Sequence, residues 1–294
     1  MVVVLAVAVV LVVLAVVRRS RSQLADQMLR AIAAANPDDE WPRAMLAEGS
    51  AIEDPSQRRR FTRGALWALL RAPAPRDRSS RLHVAAVTLY LLGALALAAV
   101  ALGRYPELRA QGSWIVYLLG FVAAIGCYAA LASLTARMGT PTDRAIGVIV
   151  GAPAVALGWG VGALSGRLPG LLVLCSVGLP AIAVAVDRRR TGDTAAPWVA
   201  GLSCVVATGL GFFLGFVTET IASNGGSPTA SLAAQARREG YHSYAAWAVG
   251  DALGGACFML ALVLVVGGAV ALLAGRLASP PRDPDVQRGD AAKG

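Results

Sequence analysis

Glu219, His242 and Asp251, with Arg237 and Arg238 among them, are the side chains of this sequence best suited to chemistry. A carboxylate beside an imidazole can pass a proton as general acid and base, and an arginine can hold an anion. They flank the polar stretch SNGGSPTASLAAQARREGYHSYAAWAVG. Within it Ser227–Pro228 reads as an N-cap and first helical residue, and Gly240 as a helix stop. A short helix there would gather Glu219, Arg237, His242 and Asp251 at one mouth. No nucleophile stands at a spacing that completes a catalytic set. The plainer reading of the same four is ion pairing that closes the loop over the elements beneath it.

Other chemistries find no residues. Cys127, Cys175, Cys204 and Cys257 each lie alone in an apolar run, and neither His83 nor His242 is near a cysteine. That is the pattern of small buried hydrophobes, with no metal-ligand spacing. There is no phosphate-binding loop, nucleotide fingerprint or nucleophile motif, so no cofactor is expected.

The elements that must position these residues are membrane-grade. The chain is 56% hydrophobic and 15% charged, with mean hydropathy +0.59, against about 25% charged in soluble proteins. Crossing a hydrocarbon core takes about 20 apolar residues of helix. Runs at 83–102, 114–135, 145–164, 171–186, 198–217 and 253–274 meet or approach this, and a seventh, 2–17, opens the chain. The expectation is an all-α, polytopic membrane protein of about seven spans.

The net charge of +9 points to topology and not to nucleic acid, because the arginines sit between apolar runs. Arg18-Arg19-Ser20-Arg21 follows the first run and makes it a reverse signal-anchor, with a longer chain ahead of Met1 as the alternative. Basic residues crowd 18–81, 137–144, 187–197 and the segment after Gly275, while the intervening loops hold Arg104, Arg109, Arg167, Arg237 and Arg238. The positive-inside rule then sets the N-terminus out and the C-terminus in. Lys293 is the only lysine, which fits arginine usage in a GC-rich bacterium and hence an inner-membrane location. The regions expected are a first span at 1–17, a cytoplasmic juxtamembrane module at 18–81, and a six-helix bundle at 82–275 with an outer loop at 222–243. A disordered cytoplasmic tail at 276–294 follows.

Small residues mark the packing faces. Gly147, Gly151, Gly158 and Gly162 keep one stripe of their run, and Ser203, Ala207, Gly211 and Gly215 keep another, so backbones can approach closely. The alternative is a mobile interface or pore, assisted by Pro153 and Pro180. No ionisable residue lies in the middle of a run, which disfavours ion- or proton-coupled transport.

The remaining polar stretch is cytoplasmic in this threading. Asp38-Asp39-Glu40 and Pro42 open a helix whose apolar side holds Trp41, Met45 and Ile52. Asp54 and Gln57 have the spacing of a capping box for a second, basic helix from Pro55 to about Ala72, suited to an anionic membrane surface. The run Trp41-x-x-Ala44-Met45-x-Ala47-Glu48, Ile52, Arg58-x-Arg60-Phe61-x-x-Gly64 resembles a cytoplasmic segment of uncharacterised bacterial multi-span membrane proteins. Some of those are linked with PadR-type transcription regulators. Ala65 stands here where that pattern often carries cysteine. The resemblance implies no reaction or ligand, only that the segment is more than a spacer. It either seals the inner side of the bundle or docks another protein, with Trp41, Met45, Glu48, Arg60 and Phe61 as the candidate contact residues.

Three functions compete on this reading. The first is a non-enzymatic membrane protein whose module docks a regulatory or membrane partner. The second is a facilitator or exporter of a small uncharged molecule, and the third an outer-face enzyme using Glu219, His242 and Asp251. Besides a possible protein partner, the partner expected in every case is the lipid bilayer.

Overall fold

A helix with no polar face belongs in an interior, and Trp198–Ala222 is such a helix: nearly every residue of it is buried. In the computed structural model the other long helices are arranged around it. The structure describes residues 40–54, 56–58, 60–61, 64–65, 68, 78–110, 114–163, 169–191 and 197–278. The expected span at 2–17, residues 18–39 and the tail from 279 lie outside the described residues.

The elements are α1 (Glu40–Ala51), α2 (Arg78–Arg104), α3 (Glu107–Ala110), α4 (Trp114–Met138), α5 (Pro141–Gly151) and α6 (Pro153–Ala163). They continue with α7 (Pro169–Thr191), α8 (Trp198–Ala222), α9 (Ala230–Arg238), α10 (Tyr244–Leu262), a π-helical turn (Val263–Gly267) and α11 (Gly268–Ala278). No strand occurs among the described residues. Four helical stretches, Ser80–Arg104, Leu118–Met138, Trp198–Ala222 and Tyr244–Gly275, are long and apolar enough to cross a membrane.

The outer surfaces of these helices carry large apolar side chains. Leu82, Leu89, Leu119, Val122, Ile149 and Ile182 are all half exposed or more. An apolar belt of this extent is unusual on a water-soluble monomer and is what a lipid-facing surface requires.

Chain direction alternates from helix to helix. The Ser80 hydroxyl at the start of α2 donates to the Ala136 carbonyl near the end of α4. At the other end of α2, Arg104 Nη2 donates to Asn224 Oδ1, just past α8. A β-carbon on Gly201, at the start of α8, would lie 2.8 Å from Val184 of α7 and 2.7 Å from Ala271 of α11. Helices α5, α6 and α8 run the same way: Gly147 lies on Ala200–Cys204 and Gly158 on Phe212–Phe216.

The run expected at 145–164 is two 11-residue helices meeting at Ala152. Pro153 lacks the N–H that would continue the ladder and disfavours helical backbone before it. Both halves stay on α8. The last run is longer than expected and begins at Tyr244, not Leu253. A π-helical turn interrupts it where Gly267 meets α7. There Pro180 removes the N–H that would serve the Ser176 carbonyl, and that oxygen would lie 3.1 Å from a β-carbon on Gly267.

Candidate functional site

Three regions hold the residues that the sequence singles out, or that it passes over.

The first is the module at α1. Trp41, Met45 and Glu48 follow one another at i, i+4 and i+7 and share a side of the helix. Trp41 is 38% exposed, Glu48 is exposed and Met45 half-buried. Residues 56–58, 60–61, 64–65 and 68 are helical. Asp54 starts this second segment: its carboxylate accepts from the Ser56 N–H and the Ser56 hydroxyl, both at 2.8 Å. Its carbonyl takes the Arg58 N–H at 3.0 Å. Ser56, through its backbone and side-chain donors, and the Gln57 N–H at the expected N3 position together hold the Asp54 pKa below its usual value. Phe61 does not point away from the module. Its ring lies over Gly49, where a β-carbon would sit 3.3 Å from it. Arg60 beside it is exposed. Of the five expected contact residues, Phe61 thus braces the hairpin, and Trp41, Glu48 and Arg60 present outward.

The second region is the loop between α8 and α10. Its short helix starts at Thr229, not Ser227–Pro228, with the Thr229 hydroxyl taking the Leu232 N–H at 3.4 Å. It stops at Gly240 as expected from sequence; φ there is +85°, a conformation glycine adopts without strain. Glu219 lies buried in the last turn of α8, Arg237 and His242 are exposed, and Asp251 is exposed on α10. Among the described residues no hydrogen bond or ion pair joins these four side chains.

Two other carboxylates organise the loop. Glu107 of α3 accepts the backbone N–H groups of His242 at 2.9 Å and Ser243 at 3.4 Å. Glu239 accepts from Gln235 Nε2 at 2.9 Å and from Trp247 Nε1 at 2.7 Å. A general acid–base pair needs its groups within hydrogen-bond reach of one proton, and Glu219, His242 and Asp251 are not so arranged.

The donors to Glu239, Gln235 first and Trp247 second, hold its pKa below the ordinary 4.5. A depressed carboxylate contributes above its ordinary pKa, and that contribution is lost as pH falls through the depressed value. Tryptophan emission of the wild type is therefore expected to change below pH 4.5, and the step to be absent in Glu239→Gln. A step of equal size in both would contradict the assignment.

The third region centres on Arg144, which the sequence did not mark as a structural residue. At the end where α2 starts and α4 stops, Arg144 is 4% exposed. Its Nη1 donates to the carbonyls of Ala136 at 2.7 Å and Gly139 at 2.8 Å. Thr140 and Asp143 close a reciprocal capping box at the start of α5. His83 is buried, with Nε2 3.3 Å from the Thr135 hydroxyl. That hydroxyl also donates to the Ala132 carbonyl at 3.0 Å. Asp187 of α7 is fully buried. His83 also lines a cavity of about 50 Å³ with Tyr90, Val148, Ala152, Ser203 and Leu210. Ser203 is fully buried, and its hydroxyl has no hydrogen-bond partner. The space suits a few waters. The T-P-x-D pattern at 140–143 is a legible cap; Glu107 has no local signal, since its partner lies 135 residues away.

The glycine stripes meet one another. Gly147 and Gly151 lie against Ser203, Cys204 and Ala207, and Gly158 against the backbone at Phe212 and Phe216. Gly211 and Gly215 lie against Val155 and, for Gly215, the Trp159 N–H. Gly162 falls within α6, and its surroundings are outside the described residues.

The described residues define an all-α protein with four helices fit to cross a membrane, one of which, α8, is buried among its neighbours. The chain matches no protein-family model, no curated protein and no solved structure.

Proposed function

We propose that this chain is a seven-span protein of the bacterial inner membrane, N-terminus out and C-terminus in, whose role is non-enzymatic. Its bundle is a rigid mount, and the cytoplasmic module at α1 docks a regulatory or membrane partner. The observation that carries this reading is the module's division of labour: Phe61 locks onto Gly49, while Trp41, Glu48 and Arg60 stay exposed. Exposed aromatic and arginine side chains on a braced support are the residues that most often anchor interfaces.

Close packing of the bundle favours a mount over a conduit. The spaces between α2, α5, α6 and α8, and between α6, α7, α8 and α10, are about 50 and 10 Å³. A path for solute needs a wetted cavity much larger than either.

The full-length chain captured from native membranes is expected to retain a protein partner that Trp41→Ala/Glu48→Ala/Arg60→Ala loses, with both running as the same monodisperse species. Phe61 is left intact because its loss would unbrace the module. Retention of every partner by the triple variant would overturn the reading.

A further inference from the structure

At the arginine-rich end of the bundle, α7 and α11 leave a groove of about 570 Å³ between them, lined by Ala181, Val184, Ala185, Ala274 and Leu277 and topped by Arg188 and Arg189. The lining follows helical spacing. Ala181, Val184, Ala185, Arg188 and Arg189 repeat at three and four residues on α7, so one face runs from small apolar side chains to two cations. Ala274 and Leu277 form the opposite wall, one turn apart. Both arginines are exposed, and among the described residues neither has a hydrogen-bond or ion-pair partner. Asp187, the acid nearest in sequence, is fully buried and does not line the groove.

We infer that this groove seats an anionic glycerophospholipid, with one acyl chain along Ala181, Val184 and Ala185 and the phosphate held by Arg188 and Arg189. Three observations select this occupant. Two arginines top one groove, and a guanidinium is the side chain best suited to hold a phosphodiester. Among the described residues the groove below them offers no polar partner, so the rest of the ligand is hydrocarbon. It opens beside Ile182, 50% exposed, and Leu273, 39% exposed, with its own Leu277 87% exposed, so its mouth is continuous with the apolar belt and is filled from the bilayer. Basic pockets between membrane helices hold anionic headgroups in this way. The site rests on the membrane placement proposed above.

Native mass spectrometry of the full chain in detergent, titrated with phosphatidylglycerol or with phosphatidylcholine of the same acyl chains, tests the site. Wild type is expected to prefer phosphatidylglycerol by about thirtyfold, roughly fivefold for each arginine near the headgroup. Arg188→Gln/Arg189→Gln should abolish the preference, and Ala185→Trp should weaken retention by filling the groove with both arginines in place. Arg237→Gln/Arg238→Gln, the same charge change on α9, should leave it intact. Preference retained by the Arg188/Arg189 variant, equal loss in the α9 control, or displacement by soluble glycerol phosphate would each overturn the proposal. Alkaline carbonate separates this failure from that of the membrane placement: a chain released by carbonate is not integral, whereas an integral chain without the preference lacks only this site.

Discussion

Replacing Gly215 by alanine is expected to lower the thermal midpoint sharply, and replacing it by valine to remove folded protein altogether. A β-carbon there would overlap the Val155 carbonyl oxygen and sit 3.0 Å from the Trp159 amide nitrogen. Both are backbone atoms, so no side chain can rotate away, and relief requires α6 and α8 to part. Overpacking a close contact costs about 1–3 kcal/mol and more where the backbone must move. The same reasoning gives the opposite sign elsewhere. Gly120 and Gly126 on α4 are exposed, and a β-carbon at either meets nothing within 4 Å. Alanine there should be neutral or stabilising by up to about 1 kcal/mol, because glycine inside a helix is the poorer helix former. Thermal unfolding of the four variants in one detergent checks both signs, and equal midpoints for Gly215→Ala and Gly120→Ala would refute the close-packed account of the stripes.

Arg144→Met should be nearly as damaging. The side chain is almost fully buried and serves two carbonyls at the end of α4, where helical donors have run out. Removing it takes that donor from the Gly139 oxygen and leaves the Ala136 oxygen with the Ser80 hydroxyl. Each bond from the charged donor contributes about 1.5–3 kcal/mol. Arg144→Lys should rescue only in part, since a point-like ammonium cannot reproduce the guanidinium's fork. The yield of monodisperse protein and its thermal midpoint measure this, and a Met variant indistinguishable from wild type would show that the bonds contribute nothing.

These two sites also show what the sequence could and could not reveal. Gly147, Gly151, Gly158, Gly211 and Gly215 were legible because spacing alone places small residues on one helical stripe, and only small residues permit backbone contact. The stop at Gly240 was legible for an equally local reason. The break at Ala152 was half legible: Pro153 announced a weakness, but whether a helix bends or ends there depends on what packs beside it.

Arg144 was not legible as a structural residue. Its chemical type and place near a span end fit the positive-inside pattern, and only tertiary contact shows its guanidinium turned inward onto α4. Glu107 and Glu239 were passed over for the same reason. Their partners are chosen by packing across the loop between α8 and α10, whereas Glu219, His242 and Asp251 stood out by residue type alone. Tertiary structure separated the acids that hold the loop from the acids that merely flank it.

Phe61 carries the clearest functional lesson. In sequence it ranks with Trp41 and Met45 as an apolar residue on a polar segment. In the fold it lies over Gly49 and is a brace, which leaves Trp41, Glu48 and Arg60 to meet a partner. Photo-crosslinking in living cells tests this division most directly, with a photoreactive residue placed at Trp41, Glu48 or Arg60 of the full-length chain and, as reference, at Leu119 of the exposed apolar belt. The account predicts a discrete protein adduct from the three module positions, shared among them and absent from Leu119. Lipid adducts alone at all four positions would contradict it.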